Sequence, residues 1–297
     1  MEPRSRPLIA ALYMTGAMLS FTLMAVAGRE LSAHHDTFEI MMYRSLLGVP
    51  IVLAVAYAAG TLGQIRTGLI RLHLIRNVFH FAGQNLWFYA VALIPLSQLF
   101  ALEFTTPLWV ALLAPVVLGE RWRMIRLLAA GIGFLGILIV ARPGTIDISP
   151  GVITAILAAF GFAGAILTTK ILSRTESVTS ILFWLVAMQS VFGILTAGYD
   201  GDVAAPTAAT APFLAIVGMC GLFSHWCITN ALSLAPASIV SPMEFLRLPL
   251  VAVVGYFLYA EPLDWPVFAG AALVLGANLM NIFAEQRSAP TRQKVAG

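Results

Sequence analysis

The sequence has 297 residues, of which 60% are hydrophobic and only 10% are charged, and its mean hydropathy is +0.90. Soluble domains carry roughly a quarter of their residues as Asp, Glu, Lys or Arg. The composition therefore excludes a water-soluble fold. The formal net charge of +3 does not indicate a nucleic-acid partner, because the placement of the basic residues follows a membrane topology.

Apolar stretches predict ten transmembrane helices, because crossing the hydrocarbon core takes about 20 residues in helical form. In chain order the predicted spans are 8–28, 37–58, 74–94, 97–118, 124–141, 150–172, 178–198, 211–233, 237–258 and 265–284. Pro95 and Pro236 divide two longer apolar stretches into hairpins, since proline breaks a helix. The expected fold class is an all-α membrane protein without a soluble domain.

The basic residues predict how the chain is oriented. Thirteen of the 17 Lys and Arg residues fall in the termini and loops of one side, whereas only Arg29 and Arg142 fall on the other. Short loops rich in Lys and Arg stay on the cytoplasmic side. We therefore expect a multi-pass membrane protein with both termini in the cytoplasm.

The sequence repeats itself after a shift of 141 residues. The shift pairs identical residues, among them Phe21 with Phe162, Pro95 with Pro236, Ser97 with Ser238, Glu103 with Glu244, Phe104 with Phe245 and Glu120 with Glu261. Each repeat holds five predicted spans, an odd number, so the second repeat enters the membrane from the opposite side. The expected units are residues 1–144 and 145–297, and such inverted repeats are typical of alternating-access transporters.

One segment of the first repeat and its copy carry a family resemblance. The segment holds Phe104, Pro107, Trp109, Pro115, Gly119, Glu120 and Arg121, followed by Gly131, Gly133 and Gly136. With these residues the chain resembles the EamA family of the drug/metabolite transporter superfamily over nearly its full length. The second copy departs from the pattern at Ala260, which leaves the tight turn before Glu261 without its glycine.

The resemblance implies transport of small metabolites, commonly export of amino acids or related compounds. Aromatic residues in the spans make the chain similar to the aromatic amino-acid exporter branch (YddG-like) in particular. The leading prediction is a secondary carrier that exports amino acids with aromatic or other large side chains by alternating access around a central cavity.

Four ionisable residues lie inside predicted spans, where each costs about 2.5–3.5 kcal/mol on insertion scales. Arg44 and Glu103 both lie roughly 10 Å from the extracytoplasmic ends of their helices and are expected to be able to pair. Glu244 and Arg247 are three residues apart on one helix. In a functional interpretation the two glutamates bind a substrate amine or a coupling proton. In the alternative, both pairs are structural.

A polar and aromatic stripe follows the third predicted span and is matched on the eighth. Its members are His80, Gln84, Asn85, Phe88 and Tyr89 on the third span, and His225, Trp226 and Asn230 on the eighth. Amides suit the polar groups of a zwitterion, and rings suit an apolar side chain or a cation. We therefore predict that the stripe lines a substrate cavity with Phe21 and Phe162. The alternatives are hydrogen bonding between helices and plain packing.

Prolines and short polar clusters complete the pattern. Pro107, Pro242 and Pro249 interrupt the fourth and ninth spans and are candidate hinges, although kinked structural helices explain them equally well. The cluster His34, His35 and Asp36 is expected to be a solvated turn, and Glu120 and Glu261 are expected to be solvated caps or surface pairs.

No metal site and no cofactor is expected, and the absence of a phosphate-binding glycine-rich loop argues against ATP as the energy source. The expected partners are a small-molecule substrate and the lipid bilayer, with proton coupling as one energy source. Two other functions remain open. One is an intramembrane enzyme acting on a lipid-linked substrate with Glu103, Glu244 and His225 as acid and base groups. The other is a passive channel.

Overall fold

The computed structural model describes residues 7–119, 124–142, 149–234, 243 and 246–288, and within these ranges the chain forms helices and turns without a β-strand. In chain order the α-helices are α1 (Pro7–Leu31), α2 (Thr37–Ala58), α3 (Ile70–Leu93), α4 (Leu96–Glu103), α5 (Thr106–Leu118), α6 (Met124–Ala141), α7 (Pro150–Leu172), α8 (Val178–Thr196), α9 (Ala211–Leu234), α10 (Arg247–Tyr259) and α11 (Trp265–Ser288). A short 3₁₀ turn spans Leu62–Gln64.

Several of these helices are long and apolar enough to cross a membrane. Within the described residues six segments qualify by length and composition, namely Leu8–Leu31, Thr37–Ala58, Leu96–Leu118, Pro150–Leu172, Val178–Thr196 and Ala211–Ile228. Three shorter apolar helices are Leu127–Ala141, Arg247–Tyr259 and Trp265–Met280. Helix α3 is as long but more polar, and it buries its polar side chains, including His73, Asn77 and Gln84, against its neighbours.

The predicted fourth span, 97–118, is two helices instead of one. Helix α4 ends at Glu103 and α5 begins at Thr106, with Pro107 in its first turn, where a missing amide costs least. The hydroxyl of Thr106 donates to the carbonyl of Glu103 at 2.7 Å and so satisfies one carbonyl freed by the break. The break thus lies beside Pro107, a candidate hinge.

The other prolines have different outcomes. Pro95 immediately precedes α4 and separates it from α3, as the sequence predicts. Pro249 lies in the first turn of α10, so it starts a helix and does not kink one. Pro242 and Pro236 lie outside the described residues.

The helix boundaries reproduce the internal repeat. Helices α8, α9, α10 and α11 each begin 141 residues after α2, α3, α5 and α6, respectively. Helices α5 and α10 have 13 residues each, and both are followed by a residue in the left-handed conformation, Gly119 with φ 68° and Ala260 with φ 52°. Ala260 therefore keeps the turn that its missing glycine placed in question.

The two repeats pack in an exchange-symmetric way. Helix α1 lies along α9 and α3 lies along α7, while α2 lies along α8 and α6 along α11. Exchanging each helix for its repeat counterpart turns the first pair into the second and leaves the last two pairs unchanged. This is the contact pattern of a pseudo-two-fold axis. At the α6–α11 crossing, a Cβ added to Gly136 or Gly270 would meet the other's carbonyl oxygen at 2.7 or 2.6 Å, so the approach requires glycine.

Within the cluster before α2, His34 is exposed as expected for a solvated turn, whereas His35 is buried and Asp36 is half-buried. His35 is 5% exposed, and its ring nitrogens lie 3.0 Å from Glu39 Oε2 and 3.2 Å from Thr210 Oγ1. Asp36 caps α2 by accepting from the amide of Glu39, and burial raises the pKa of the Asp36 carboxyl. The sequence missed this cluster because Thr210 lies far along the chain, just before α9.

Candidate transport site

A buried ion pair joins the two repeats inside the helix bundle. Arg247, the first residue of α10, is 4% exposed and donates from Nη2 to Glu103 Oε1 at 2.8 Å. The indole of Trp87 donates to the other carboxylate oxygen, Oε2, at 2.7 Å. Both oxygens of Glu103 are therefore occupied by donors from α3 and α10.

Aromatic rings surround the charge of Arg247. Its guanidinium carbon lies 4.8 Å from the ring centroid of Phe21, 4.5 Å from that of Phe100 and 5.3 Å from that of Phe104. Ring faces attract cations at these distances, most strongly where water is excluded. The guanidinium of Arg247 is thus stabilised by one carboxylate and three aromatic rings. These groups come from α1, from α4 and from the residue after α4.

The structure does not bring Arg44 and Glu103 together, although both lie at a depth that allows pairing. Helix α4 contacts α10, which places Glu103 beside Arg247, whereas α2 packs on α8 and α9 and carries Arg44 away from Glu103. Glu244, the expected partner of Arg247, lies outside the described residues.

Arg44 lies instead in a polar cleft between α2, α8 and α9. The cleft is lined by Arg44, Ser45, Gly48, Leu185, Val186, Gln189, Gly218, Gly221, Leu222 and His225. The nearest polar contact of the Arg44 guanidinium is the sulfur of Met41 at 3.8 Å, and within the described part of the chain it has no carboxylate partner. A Cβ added to Gly221 would lie 2.7 Å from Arg44 Nη2, so this glycine leaves room for the guanidinium.

Two histidine–phenylalanine contacts flank this cleft. His80 on α3 lies 6.0 Å from Phe162 on α7, and His225 on α9 lies 6.2 Å from Phe21 on α1, as measured between ring centroids. Gln189 Nε2 lies 2.7 Å from His80 Nδ1 and so connects the α3–α7 contact to the cleft. Gln189, which the sequence interpretation missed, therefore bonds His80 and lines the cleft together with His225. Its signal is an amide inside an otherwise apolar predicted span.

The remaining amides bond within their own helices. Asn85 Nδ2 donates to the carbonyl of Phe81 at 2.8 Å, and Asn230 Nδ2 donates to that of Trp226 at 2.8 Å. The side-chain oxygen of Asn85 is buried and has no hydrogen-bond donor among the described residues.

Three predicted residues lie elsewhere. Phe88 is 1% exposed and packs in the core, at 5.1 Å from Trp87 between ring centroids. Tyr89 and Trp226 are 47% and 53% exposed at the surface of the helices, with Trp226 edge-on to Tyr13. The structure does not bring these three side chains into the cleft, because neighbouring positions on a helix point in directions about 100° apart.

A second cation lies on α3. Arg76 is 7% exposed, and it donates to the hydroxyl of Thr169 at 2.7 Å and to the amide oxygen of Asn77 at 3.4 Å. Both contacts are neutral groups, and within the described ranges Arg76 has no carboxylate partner either. The guanidinium groups of Arg76 and Arg44 interact electrostatically with His80 and His225.

A second inter-repeat ion pair lies where α3 meets α4. Arg29 pairs with Glu261 and also donates to the carbonyls of Val91, at 2.7 Å, and Ile94. Glu261 in turn accepts from the amide of Leu96 at 2.9 Å and is 9% exposed. Glu261 is therefore a buried link and not the solvated cap or surface group expected. Its repeat partner, Glu120, lies outside the described residues.

Comparisons with known proteins agree with this two-fold architecture. The model of the EamA-like transporter family matches the chain twice, over residues 8–142 and 149–283. A solved structure described as "Crystal structure of protein" has the same fold, with a TM-score of 0.61, 17% identity, and 94% of this chain and 98% of the other covered.

Curated relatives of similar length are named as transporters. An S-adenosylmethionine uptake transporter of Rickettsia felis is 24% identical, covering 93% of this chain and 95% of the relative. A riboflavin transporter of Brucella anthropi is 30% identical, with 81% and 86% covered. A pseudopaline exporter of Pseudomonas aeruginosa is 28% identical, with 88% and 91% covered.

The names of these relatives point to transport and not to catalysis. The narrower similarity to the YddG-like branch stays a prediction. Because both halves are matched by one family model, the chain belongs to the EamA-like transporter family.

Proposed function

We propose that this chain is a secondary transporter that carries a small metabolite across the bacterial inner membrane by alternating access to the cleft around Arg44, Gln189 and His225. The proposal includes ten spans, two oppositely oriented repeats and both termini in the cytoplasm. The observation that carries it is the position of the polar cleft, which lies where α2 of the first repeat meets α8 and α9 of the second.

The exchange-symmetric packing supports alternating access. Because the cleft is built from both repeats, a rocking of one repeat against the other changes which end of the cleft is open. Polar and charged side chains inside a membrane are costly and usually line a solute path. Gln189, His80 and His225 provide such groups, while Phe21 and Phe162 provide ring faces beside them.

The relatives support a small metabolite as the substrate, since those described above are named for S-adenosylmethionine, riboflavin and pseudopaline. One of these relatives is named for uptake and one for export. We therefore propose that the solute gradients determine the direction of transport. Export of amino acids with large side chains is the specific case that the sequence predicts.

Counterflow into liposomes tests the proposal. Purified full-length chain is reconstituted, the vesicles are loaded with an unlabelled compound, and entry of the same labelled compound is followed. The panel contains aromatic and aliphatic amino acids, riboflavin and S-adenosylmethionine. We expect saturable entry of at least one compound that depends on the internal load. The variant Gln189→Leu should slow this entry, whereas replacement of the exposed Arg71 by Gln should not.

The same experiment separates the alternative functions. A passive channel would be identified by entry that rises linearly with the external concentration and does not depend on the internal load. Absence of entry for the whole panel would contradict the transporter proposal, and formation of a product from a lipid-linked substrate would then favour the enzyme.

A further inference from the structure

Building on the proposed function, we propose that the transported metabolite carries a carboxylate and that Arg44 is the counter-ion which binds it. The cleft around Arg44 is the site, and Gln189 and His225 provide hydrogen-bonding groups beside it. The inference concerns the chemical class of the substrate.

The charge balance inside the bundle is its first support. The single negative charge of Glu103 is already balanced by Arg247, and Trp87 donates to its second oxygen. Arg44 and Arg76 then remain as two interior guanidinium groups without a carboxylate partner among the described residues. A cation held away from bulk water is strongly destabilising unless an anion accompanies it. Among the described residues, the balance of charge inside the bundle therefore favours an anionic ligand.

The contacts of the two cations decide where that anion binds. Arg76 already donates to the oxygens of Thr169 and Asn77. Arg44 touches no oxygen acceptor within the described residues, and its nearest polar neighbour is a thioether, which is a weak acceptor. The five N–H donors of Arg44 are therefore the strongest unused hydrogen-bonding group in the cleft.

The shape around Arg44 suits a planar acid. Gly218 and Gly221 line the cleft, and a Cβ at Gly221 would come within 2.7 Å of Arg44 Nη2 and crowd the guanidinium. A guanidinium presents parallel donors that match the two oxygens of a carboxylate. One such fork carries a single charge and so fits a carboxylate better than a doubly charged phosphate. Leu185 and Leu222 provide an apolar wall for the rest of the molecule.

Competition between acids and their amides tests the inference. In the counterflow assay each acid of the panel is compared with its own amide, for example L-phenylalanine with L-phenylalaninamide, as competitors of the transported tracer. We expect the acid to compete at a concentration about tenfold or more below that of the amide, because a charge-assisted bidentate contact is lost in the amide. A phosphate monoester of similar size should compete no better than the amide.

Variants then assign the preference to Arg44. Arg44→Gln should remove the difference between acid and amide, and Gly221→Ala should weaken it by crowding Nη2. Arg44→Lys keeps the charge without the fork and should retain part of the preference. The matched control is Arg71→Gln, which removes an exposed arginine at the start of α3 and should leave the preference unchanged. Monodisperse elution and the melting temperature verify that each variant is folded.

The outcomes separate this inference from the proposed function. If the wild-type protein carries panel compounds but acids and amides compete equally, or if folded Arg44→Gln keeps the preference, the carboxylate inference is overturned and the transporter proposal stands. If the wild-type protein carries only compounds without a carboxylate, the inference is overturned as well. If it carries no panel compound, the transporter proposal itself fails.

Discussion

Among the described residues three ion pairs connect the repeats, and two of them, Arg29 with Glu261 and Glu103 with Arg247, are built differently. At the rim, defined by Arg29, Glu261 and Leu96, the charged groups are held mainly by backbone carbonyls and an amide at helix ends. In the interior, Glu103 and Arg247 are held by an indole and three aromatic rings. Each pair takes one residue from each repeat.

The difference indicates which contact separates during transport. The two pairs are buried to a similar degree in this structure, but Arg29 and Glu261 lie at helix ends, where water can solvate their charges once they part. The interior pair has no such replacement, because its surroundings are rings, and an unpaired buried charge costs several kcal/mol. We therefore expect the rim to open and close while the pair of Glu103 and Arg247 stays joined as a pivot between the repeats.

The largest expected effect is the loss of stability when the ion pair of Glu103 and Arg247 is broken. Arg247→Ala leaves the carboxylate of Glu103, whose side chain is 20% exposed, beside Trp87 without its cation, and we expect the free energy of unfolding to fall by about 3 kcal/mol. Unfolding in mixed micelles, followed by circular dichroism, measures this. The double variant Arg247→Met with Glu103→Gln removes both charges and should recover most of the loss. If Arg247→Ala were as stable as the wild-type protein, Glu103 and Arg247 could not form a pivot that must stay joined.

The double variant also tests proton coupling through Glu103. With the pair neutralised and the fold retained, a coupling role predicts that accumulation driven by an imposed pH gradient disappears, while counterflow without a gradient continues. If Glu103 only joins the repeats, both activities persist at similar rates. The comparison uses the same vesicles with and without the gradient, so differences in reconstitution cancel.

The next largest expected effect is a change in how often the rim opens, measured by the rate of cysteine labelling. In a chain lacking thiols (Cys220→Ala, Cys227→Ala), a cysteine at position 94 replaces Ile94, whose side chain is 5% exposed beneath the rim. Adding Arg29→Ala removes the partner of Glu261 and should increase the rate of labelling by a membrane-impermeant maleimide about tenfold, because the closed state loses its charge-assisted hydrogen bonds.

The matched control for the rim is Arg174→Gln, which changes an exposed arginine in the turn after α7. It should leave labelling at position 94 unchanged. Equal labelling with and without Arg29 would show that the rim pair does not keep this end closed, and the contrast with the interior pair would then lose its functional meaning.

Most of the fold could be predicted because apolar runs and their ends are local signals. The spans predicted at 37–58, 124–141 and 150–172 coincide with α2, α6 and α7. The break beside Glu103 was less visible, since the apolar run continues through it and only Pro107 marks it. Its position depends on threonine hydroxyls that satisfy the freed carbonyls, and these become evident only in the folded chain.

The site could be predicted only in part, because a pairing depends on which distant helices touch. Depth in the sequence favours Arg44 as the partner of Glu103, and spacing favours Glu244 as the partner of Arg247. The contact of α4 with α10 instead pairs Glu103 with Arg247. Gln189 is visible as an amide in an apolar span, but its partner, His80, lies 109 residues away. Periodicity placed Tyr89 on one line with Asn85, yet Tyr89 is exposed and Asn85 is buried.

The smallest expected effect concerns the turn that positions Glu261 at the rim. Ala260 has φ 52°, a conformation that costs an L-residue about 1 kcal/mol and costs glycine little, although glycine also makes the unfolded chain more flexible. Ala260→Gly should therefore raise the free energy of unfolding by about 0.5–1 kcal/mol, measured as for the pivot, and should slow labelling at position 94 by holding Glu261 more firmly against Arg29.

The counterpart turn provides a control of opposite sign. Gly119 has φ 68°, and a Cβ added there meets nothing within 4 Å, so Gly119→Ala tests backbone strain alone. It should lower the free energy of unfolding by about 1 kcal/mol without changing labelling at position 94, because this turn lies outside the Arg29 rim. Stabilisation by Ala260→Gly with unchanged labelling would mean that the turn before Glu261 affects the fold but not the closure of the rim.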